Sequence, residues 1–548
     1  MQSPQQLFGS SASRRRGQSA GIRSVAFVGN YPPRQCGIAT FTHDLCEHYA
    51  AGFPDKECAA VAMTDIQSSY DYPARVALEV RQDQPEDYSQ AARYLNGLAP
   101  SIVSLQHEFG IFGGNHGEHL LQFLARCEIP VVTTMHTVIA NPNESQRRIT
   151  QEIIDASSGI IVMAEKARSL LLKHYRTNEE RIHIVAHGIP EAAFSSTEPN
   201  KAVLGLADRR VILTFGLIGP GKGLEQGIRA MRAVADEYSD SLYVVLGATH
   251  PNLVRTEGES YRESLEHMVH SLDLENNVRF VDNYVDLDEL TTYLGAADVY
   301  LTPYPNEAQI TSGTLAYASG CGCPVVSTPY WHARELITED LGLLTPFNDI
   351  PRMARNIRSL IGDPGRRQCL REAAIEAGRS AYWPEIARRY DEVFETAFQQ
   401  SGHPLRVVSA TEESAPQQEA ILQRFDHLLK MTDSTGIWQH ARYQTPDQAH
   451  GYCVDDNARA FLLTGHLKAA GIESRLPWNE YSNPYFAFVF RAFNSELGRF
   501  RNFMSADEHW LEEVGSEDSQ ARTLWALGAV LELEAFQYIE RPVKALFE

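Results

Sequence analysis

The chain predicts an α/β fold, two Rossmann-like domains in tandem, followed by an all-α segment. Three observations carry this reading. Short Val- and Ile-rich runs alternate with amphipathic helical stretches up to about residue 380. The alternation restarts once, near Glu198. Beyond residue 419 strand-like runs give way to helical, aromatic sequence. Strands that read as continuous apolar runs belong to a parallel sheet with helices on both faces.

The run 24–29 (SVAFVG) is a buried strand ending in glycine. A loop with Pro32, Pro33 and Gly37 follows, then Ile38, Phe41, Leu45 and Tyr49 at helical spacing. Further strands are expected at 102–106, 131–135, 160–163 and 182–185, with helices between them from Gln146 and from Glu165. The second round opens with a strand at 211–215, a loop at 216–223 and a helix from Leu224. Its later strands are expected at 242–246, 278–281, 299–301 and 324–327. The expected organisation is a disordered tail (1–20), a first domain (21–195), a second domain (196–382) and a long helix that closes the unit (383–400). A Ser-, Pro-, Glu- and Gln-rich linker (401–418) leads to a helical segment (419–548) that carries Trp438, Trp478, Trp510 and Trp525.

Bulk properties narrow the function. The formal net charge is −21, and an acidic surface repels phosphate backbones, so nucleic acid is not an expected partner. One local basic pocket for a small anion remains compatible with that. No apolar stretch approaches the ~20 residues of a membrane span, and residues 1–20 lack the apolar run of a secretory signal. A cytoplasmic location is therefore expected, with peripheral membrane association compatible. The eight cysteines form no CxxC pair and read as reduced thiols; Cys321 and Cys323 flank Gly322 in what reads as a tight turn.

Two motifs point to anion chemistry. In TFGLIGPGKGLE (214–225) a strand delivers a glycine-rich loop, starting at Gly216 and holding Lys222, to a helix start. Backbone amides and an ammonium suit a phosphate, although GxxxxGK[ST] is not satisfied. In PYPNEAQITSGTLAYASG (303–320) a strand end leads through Glu307 and Gln309 to a helix expected to begin near Thr311 or Ser312. The free N–H groups over Ile310, Thr311, Ser312 and Gly313 would face the crevice beyond the strand ends. Glu307 would be placed for sugar hydroxyls; the alternative is a capped helix beside a solvated glutamate.

In the first domain His107 and Glu108 follow one strand and His136 follows another. Both are carboxyl ends of parallel strands, where open α/β sheets bind ligands. His107 and Glu108 do not form HExxH, and His116 with His119 reads as a polar helix cap rather than a metal site. No DxD-type pair stands at a strand end in either α/β domain, so no metal is expected.

Taken together these motifs resemble the retaining glycosyltransferases of family 4, with the two-domain GT-B architecture, over roughly residues 22–400. The resemblance implies a nucleotide-sugar donor as substrate, no cofactor, and an oligosaccharide or other glycan as acceptor. It makes 21–195 the acceptor domain and 196–382 the nucleotide-sugar domain. It puts diphosphate binding on Lys222, with Gly37 and Gly216 in the donor loops. Glu307 matches the first of the family's paired glutamates, and Gln309, Ile310, Thr311, Ser312 and Gly313 complete the donor site. His136 falls beside the transferred sugar as a catalytic residue with Lys222 and Glu307, and His107, Glu108 and His136 line the acceptor side. Two positions depart from the family: Leu217 where arginine is frequent, and Leu315 where the second glutamate would fall.

The run YCVDDNAR (452–459) is similar to the start of a six-hairpin (α/α) toroid found among glycoside-processing enzymes; such a ring would be incomplete in 419–548. The expected activity is transfer of a hexosyl group, mannosyl or glucosyl, with retained configuration. The alternatives are a nucleotide-sugar 2-epimerase of the same fold and a catalytically silent carbohydrate-binding scaffold.

Overall fold

The computed structural model describes residues 21–66, 69–192, 194, 196–401, 425–442, 445–469, 478–533 and 540–547. The tail at 1–20 and, apart from Ser401, the linker at 401–418 lie outside the described residues. The chain divides into two compact units, 1–406 and 407–548.

The first unit holds two parallel sheets. Strands β1 (Ser24–Gly29), β2 (Glu57–Thr64), β3 (Val76–Arg81), β4 (Ile102–His107), β5 (Val131–Met135), β6 (Gly159–Val162) and β7 (Ile182–Ile184) form the first, in the order β3-β2-β1-β4-β5-β6-β7. The second contains β8 (Arg210–Phe215), β9 (Ser241–Leu246), β10 (Val278–Val281), β11 (Val299–Thr302), β12 (Val325–Ser327) and β13 (Gly342–Leu344), in the order β10-β9-β8-β11-β12-β13. In both, the order reverses beside the first strand of the sheet, and a crevice opens at such switch points.

Three strands escape the sequence pattern. β2 has Ala at three of its eight positions, a weak strand former that packs here because neighbouring strands cover it. β3 is a half-buried edge strand, and β13 has only three residues.

The helix Trp383–Gln400 follows the second sheet in sequence yet packs on the first. Its Trp383, Ile386, Tyr390 and Phe394 share one buried cluster with Val25 and Phe27 of β1 and Phe41 of the helix Gly37–Gly52. Burying each such large apolar side chain stabilises by ~1.5–3 kcal/mol. This helix therefore ties the halves together by its apolar stripe.

The second unit differs from the all-α expectation. Among the described residues, helices Val454–Ala469, Trp478–Ala492, Glu517–Leu531 and Glu540–Phe547 are accompanied by three two-stranded antiparallel pairs. Two-residue strands are too short to leave a periodicity in the sequence, and the Trp438–Tyr452 stack and Met504 fold them into the same core as the helices.

Candidate active site

The two halves of the first unit meet at the carboxyl ends of their strands. Tyr317 donates a buried hydrogen bond to Asp44 Oδ2 at 2.9 Å, and the Tyr284 and Thr40 hydroxyls lie 3.0 Å apart. Ile310, from the second half, is 2% exposed within the first half's core. Glu335 accepts from the Glu165 and Lys166 amides, both at 2.8 Å, so a carboxylate of one half caps a helix start of the other.

On the second half's rim the glycine-rich loop is pressed against the end of β11. Gly223 has φ +65°, and a Cβ there would fall well inside contact distance of the Pro303 carbonyl oxygen. That approach brings Lys222 to Tyr304: Nζ donates to the tyrosine hydroxyl at 2.9 Å and stands 4.6 Å from the ring centroid. The same hydroxyl lies 3.1 Å from Thr314 Oγ1, which lies 3.2 Å from Ser312 Oγ. Lys222 is thus half-buried and anchored. Burial pushes the Tyr304 phenol up, but Lys222 and the Thr314 and Ser312 hydroxyls outweigh it and leave its pKa below the usual value.

The helix Gly313–Gly320 begins just past Ser312, whose Oγ caps it by accepting from Leu315 N at 3.3 Å. Its first two amides, Gly313 and Thr314, have no intrahelical acceptor. The stretch 310–313 does not offer all its amides. Ser312 N donates to His332 Nδ1 at 2.9 Å, and the Ile310 side chain is turned into the core. Gln309 donates to the Thr311 carbonyl at 2.6 Å. Thr311 Oγ1 is buried with no partner among the described residues. Glu307 is exposed and ion-paired with Arg334 at 2.8 Å. Gly216 stands at the loop entrance with φ +110°.

Two histidines on the first half's rim are kept uncharged. His136 Nε2 lies 3.0 Å from Gln106 Oε1. Burial, then the neighbouring His187 and His107, hold its pKa down at about 3. Burial alone lowers His107 to about 4, and its Nδ1 has no partner among the described residues. Burial pushes the Glu108 carboxyl up, against the Thr137 hydroxyl that donates to it at 2.6 Å. Gly37 opens its helix toward free space, with nothing within 4 Å of where a Cβ would stand.

Four residues at this junction were not singled out from sequence: Tyr304, Thr314, His332 and His187. His187 sits 5.0 Å from the Phe41 ring and 5.9 Å from Tyr317. Its Nδ1 lies 2.7 Å from the Gly188 carbonyl, which assigns the proton there and leaves Nε2 an acceptor beside Gly313. The strand-end criterion that found His107 and His136 would also have found it. His119, by contrast, makes no side-chain cap bond and packs on Tyr88, so the capping role expected for it is corrected. Leu315 is fully buried in the second half's core, which makes that position a packing residue.

The chain carries two glycosyltransferase domains in the GT-B arrangement. Residues 37–192 match the family Glycosyltransferase Family 4, and residues 196–379 match Glycosyl transferases group 1. Among curated relatives it is 28% identical to the D-inositol 3-phosphate glycosyltransferase of Kineococcus radiotolerans over 303 residues, 50% of this chain and 68% of that one. The enzyme of the same name from Corynebacterium glutamicum is 26% identical over 287 residues, 49% and 67% of the two chains. Two solved structures share the fold. Anabaena HepE in complex with UDP gives a TM-score of 0.54 at 16% identity, covering 68% of this chain and 100% of that one. Sucrose-phosphate synthase from Thermosynechococcus elongatus gives 0.58 at 17% identity, covering 69% and 100%.

Proposed function

We propose that this chain is a retaining hexosyltransferase that moves a mannosyl or glucosyl group from a nucleotide-sugar to a carbohydrate hydroxyl. The observation that carries the reading is Lys222, held on Tyr304 and through it joined to the start of the helix Gly313–Gly320. An ammonium and a helix N-terminus aimed at one place suit a leaving diphosphate, whose negative charge grows as the glycosidic bond breaks. The curated relatives bear the name of a glycosyltransferase, and one fold neighbour's crystals hold UDP.

In this reading Glu307 leaves Arg334 to hold the sugar ring, and the Gly37 and Gly216 loops flank the donor. His136 lines the sugar–acceptor junction as a neutral imidazole, with His107 and Glu108 on the acceptor side. The acceptor hydroxyl attacks from the face the diphosphate leaves, and a donor phosphate oxygen takes its proton. No enzyme nucleophile, metal or cofactor enters, and the reaction runs in the cytoplasm. The toroid-like character of 419–548 belongs to the same proposal, resting on the YCVDDNAR run.

The test is product analysis after incubation with UDP-glucose or GDP-mannose and a glycan acceptor. A new α-glycoside supports transfer with retention. An isomerised donor would make the chain an epimerase, and recovery of both substrates unchanged would make it a binding scaffold.

A further inference from the structure

The short helix Trp331–Leu336 sends its side chains to different neighbours. Tyr330, just before it, is fully buried and stacks on Tyr304, with ring centroids 5.1 Å apart and planes 20° from parallel. His332 is buried and accepts the Ser312 amide on Nδ1, and Arg334 holds the Glu307 carboxylate. The backbone adds to this grip: Trp331 N donates to the Glu307 carbonyl at 3.0 Å and His332 N to the Gln309 carbonyl at 3.2 Å. The loop 307–312 is fastened to this one helix by main chain and by side chain.

Other side chains of the same helix reach the first half. Trp331 and Glu335, four residues apart, share a face. Trp331 packs against the first half's core, and Lys166 Nζ stands 4.9 Å from its ring centroid. Glu335 accepts the Glu165 and Lys166 amides from 170 and 169 residues away in the chain. The local sequence creates the need for it. The helix Glu165–His174 has Ala164 at its N-cap, with no side-chain acceptor for the first amides, where Ser, Thr, Asp or Asn would supply one. Those amides carry the positive end of the helix dipole, so a carboxylate brought to them is held by charge as well as by hydrogen bonds. Among the described residues the hydrogen bonds of the Glu335 carboxylate all go to the first half.

We infer that Glu335 is a positioning residue for the donor site: docked on the first half's helix start, it fixes the helix Trp331–Leu336, and through His332 and Arg334 it fixes the loop that bears Glu307 and Ser312. The fit between the two halves then sets donor affinity. The inference rests on the donor site proposed above. A single-turn helix of six residues moves as a body, so every group fastened to it shifts when its dock is lost. Misplacing a binding group by about 1 Å costs up to roughly 10²-fold. The competing role is a local one, in which Glu335 caps the helix Glu165–His174 and does nothing beyond it.

Hydrogen–deuterium exchange on the full chain, with no ligand added, separates the two roles. Glu335→Ala should speed exchange at the Glu165 and Lys166 amides in either case. Positioning adds faster exchange over 309–314, where the Ser312 amide is held by His332. Calorimetric titration with UDP-glucose and with GDP-mannose gives the second readout: whichever binds the wild type should bind Glu335→Ala roughly tenfold more weakly. His332→Ala should weaken it too, and the double variant should be no weaker than the worse single one, because the two residues act in series. Glu335 is exposed, so the fold should hold; Glu335→Gln, of the same shape, serves as the test if the alanine variant fails to fold. Unchanged exchange over 309–314 overturns the inference, and so do additive losses in the double variant. If the wild type binds neither nucleotide-sugar, the transferase reading falls, and exchange over 309–314 still decides whether this helix couples the two halves.

Discussion

On one rim of the crevice a lysine ammonium rests on a tyrosine hydroxyl at the mouth of a helix; on the other, His107 and His136 are kept uncharged by burial. The contrast follows from where each side chain sits. Lys222 rides a loop that touches a strand end, so its charge stays partly solvated and has an oxygen to meet. His107 ends β4 and His136 follows β5, where no carboxylate among the described residues pairs with them and desolvation disfavours the imidazolium. An anionic leaving group and a neutral sugar would thus meet opposite environments within one cleft.

The hardest blow to this contrast is Lys222→Ala. Removing one electrostatic donor to a developing oxyanion costs ~2.7–4 kcal/mol, a rate loss of roughly 10²–10³. The fold should hold, because the side chain crosses no core. Steady-state transfer assays beside thermal melts measure both, and near wild-type turnover would take the ammonium out of the mechanism.

Glu307→Gln should cost less. Hydrogen bonds to a charged group contribute ~1.5–3 kcal/mol, or about tenfold to a hundredfold in transfer. Because the Glu307–Arg334 pair is solvent-exposed, stability should change by no more than about 1 kcal/mol. Unchanged donor affinity and rate would reduce Glu307 to a surface residue.

The neutral rim can be probed by pH. His136 titrates at about 3 and His107 at about 4 in the folded chain, against ~6.5 unfolded. A lowered folded pKa means that the unfolded chain binds the proton first. The stability these groups contribute is fully present above pH ~6.5 and is lost as pH falls toward 4 and then 3, by at most roughly 1.4 kcal/mol per pH unit for each histidine. Urea melts between pH 7 and 4 should show this, and His107→Phe should flatten the dependence. A stability that rises on acidification would contradict the assignment.

The smallest effects are expected at the margins. Residues 21–400 alone should fold and keep their transfer rate within about twofold, since the helix that ties the halves ends at Gln400. The fragment 419–548 should aggregate, for Trp525 and Leu524 are already 60% and 36% exposed in the whole chain; a soluble, cooperatively melting fragment would refute that. EDTA should leave transfer unchanged, and loss restored by Mg²⁺ or Mn²⁺ would overturn the proposed phosphate site.

Much of the architecture was legible in the chain because it is local. Apolar runs such as 211–215 become buried parallel strands, and the glycines around Lys222 force a loop between strand and helix whatever lies nearby. The Ala-rich β2 was not legible, since its pairing comes from neighbours rather than from its own propensity. The site divides along the same line. Sequence placed Lys222 in the loop that follows a strand and His136 at a strand end, while Tyr304 stood unremarked inside a motif already quoted, because nothing local says which hydroxyl a distant lysine will reach.

By itself, then, the sequence determined the two rounds of β and α elements, the glycine-rich loop and the chemistry available at each strand end, all of which depend on residues close together in the chain. Only tertiary structure decided how those ends meet. It turned Ile310 into the other half's core and committed the Ser312 amide to His332. It laid Lys222 on Tyr304 across 82 residues, and it set Glu335 on the helix start at Glu165. Such contacts are fixed by packing between segments distant in sequence, and no short-range pattern encodes them.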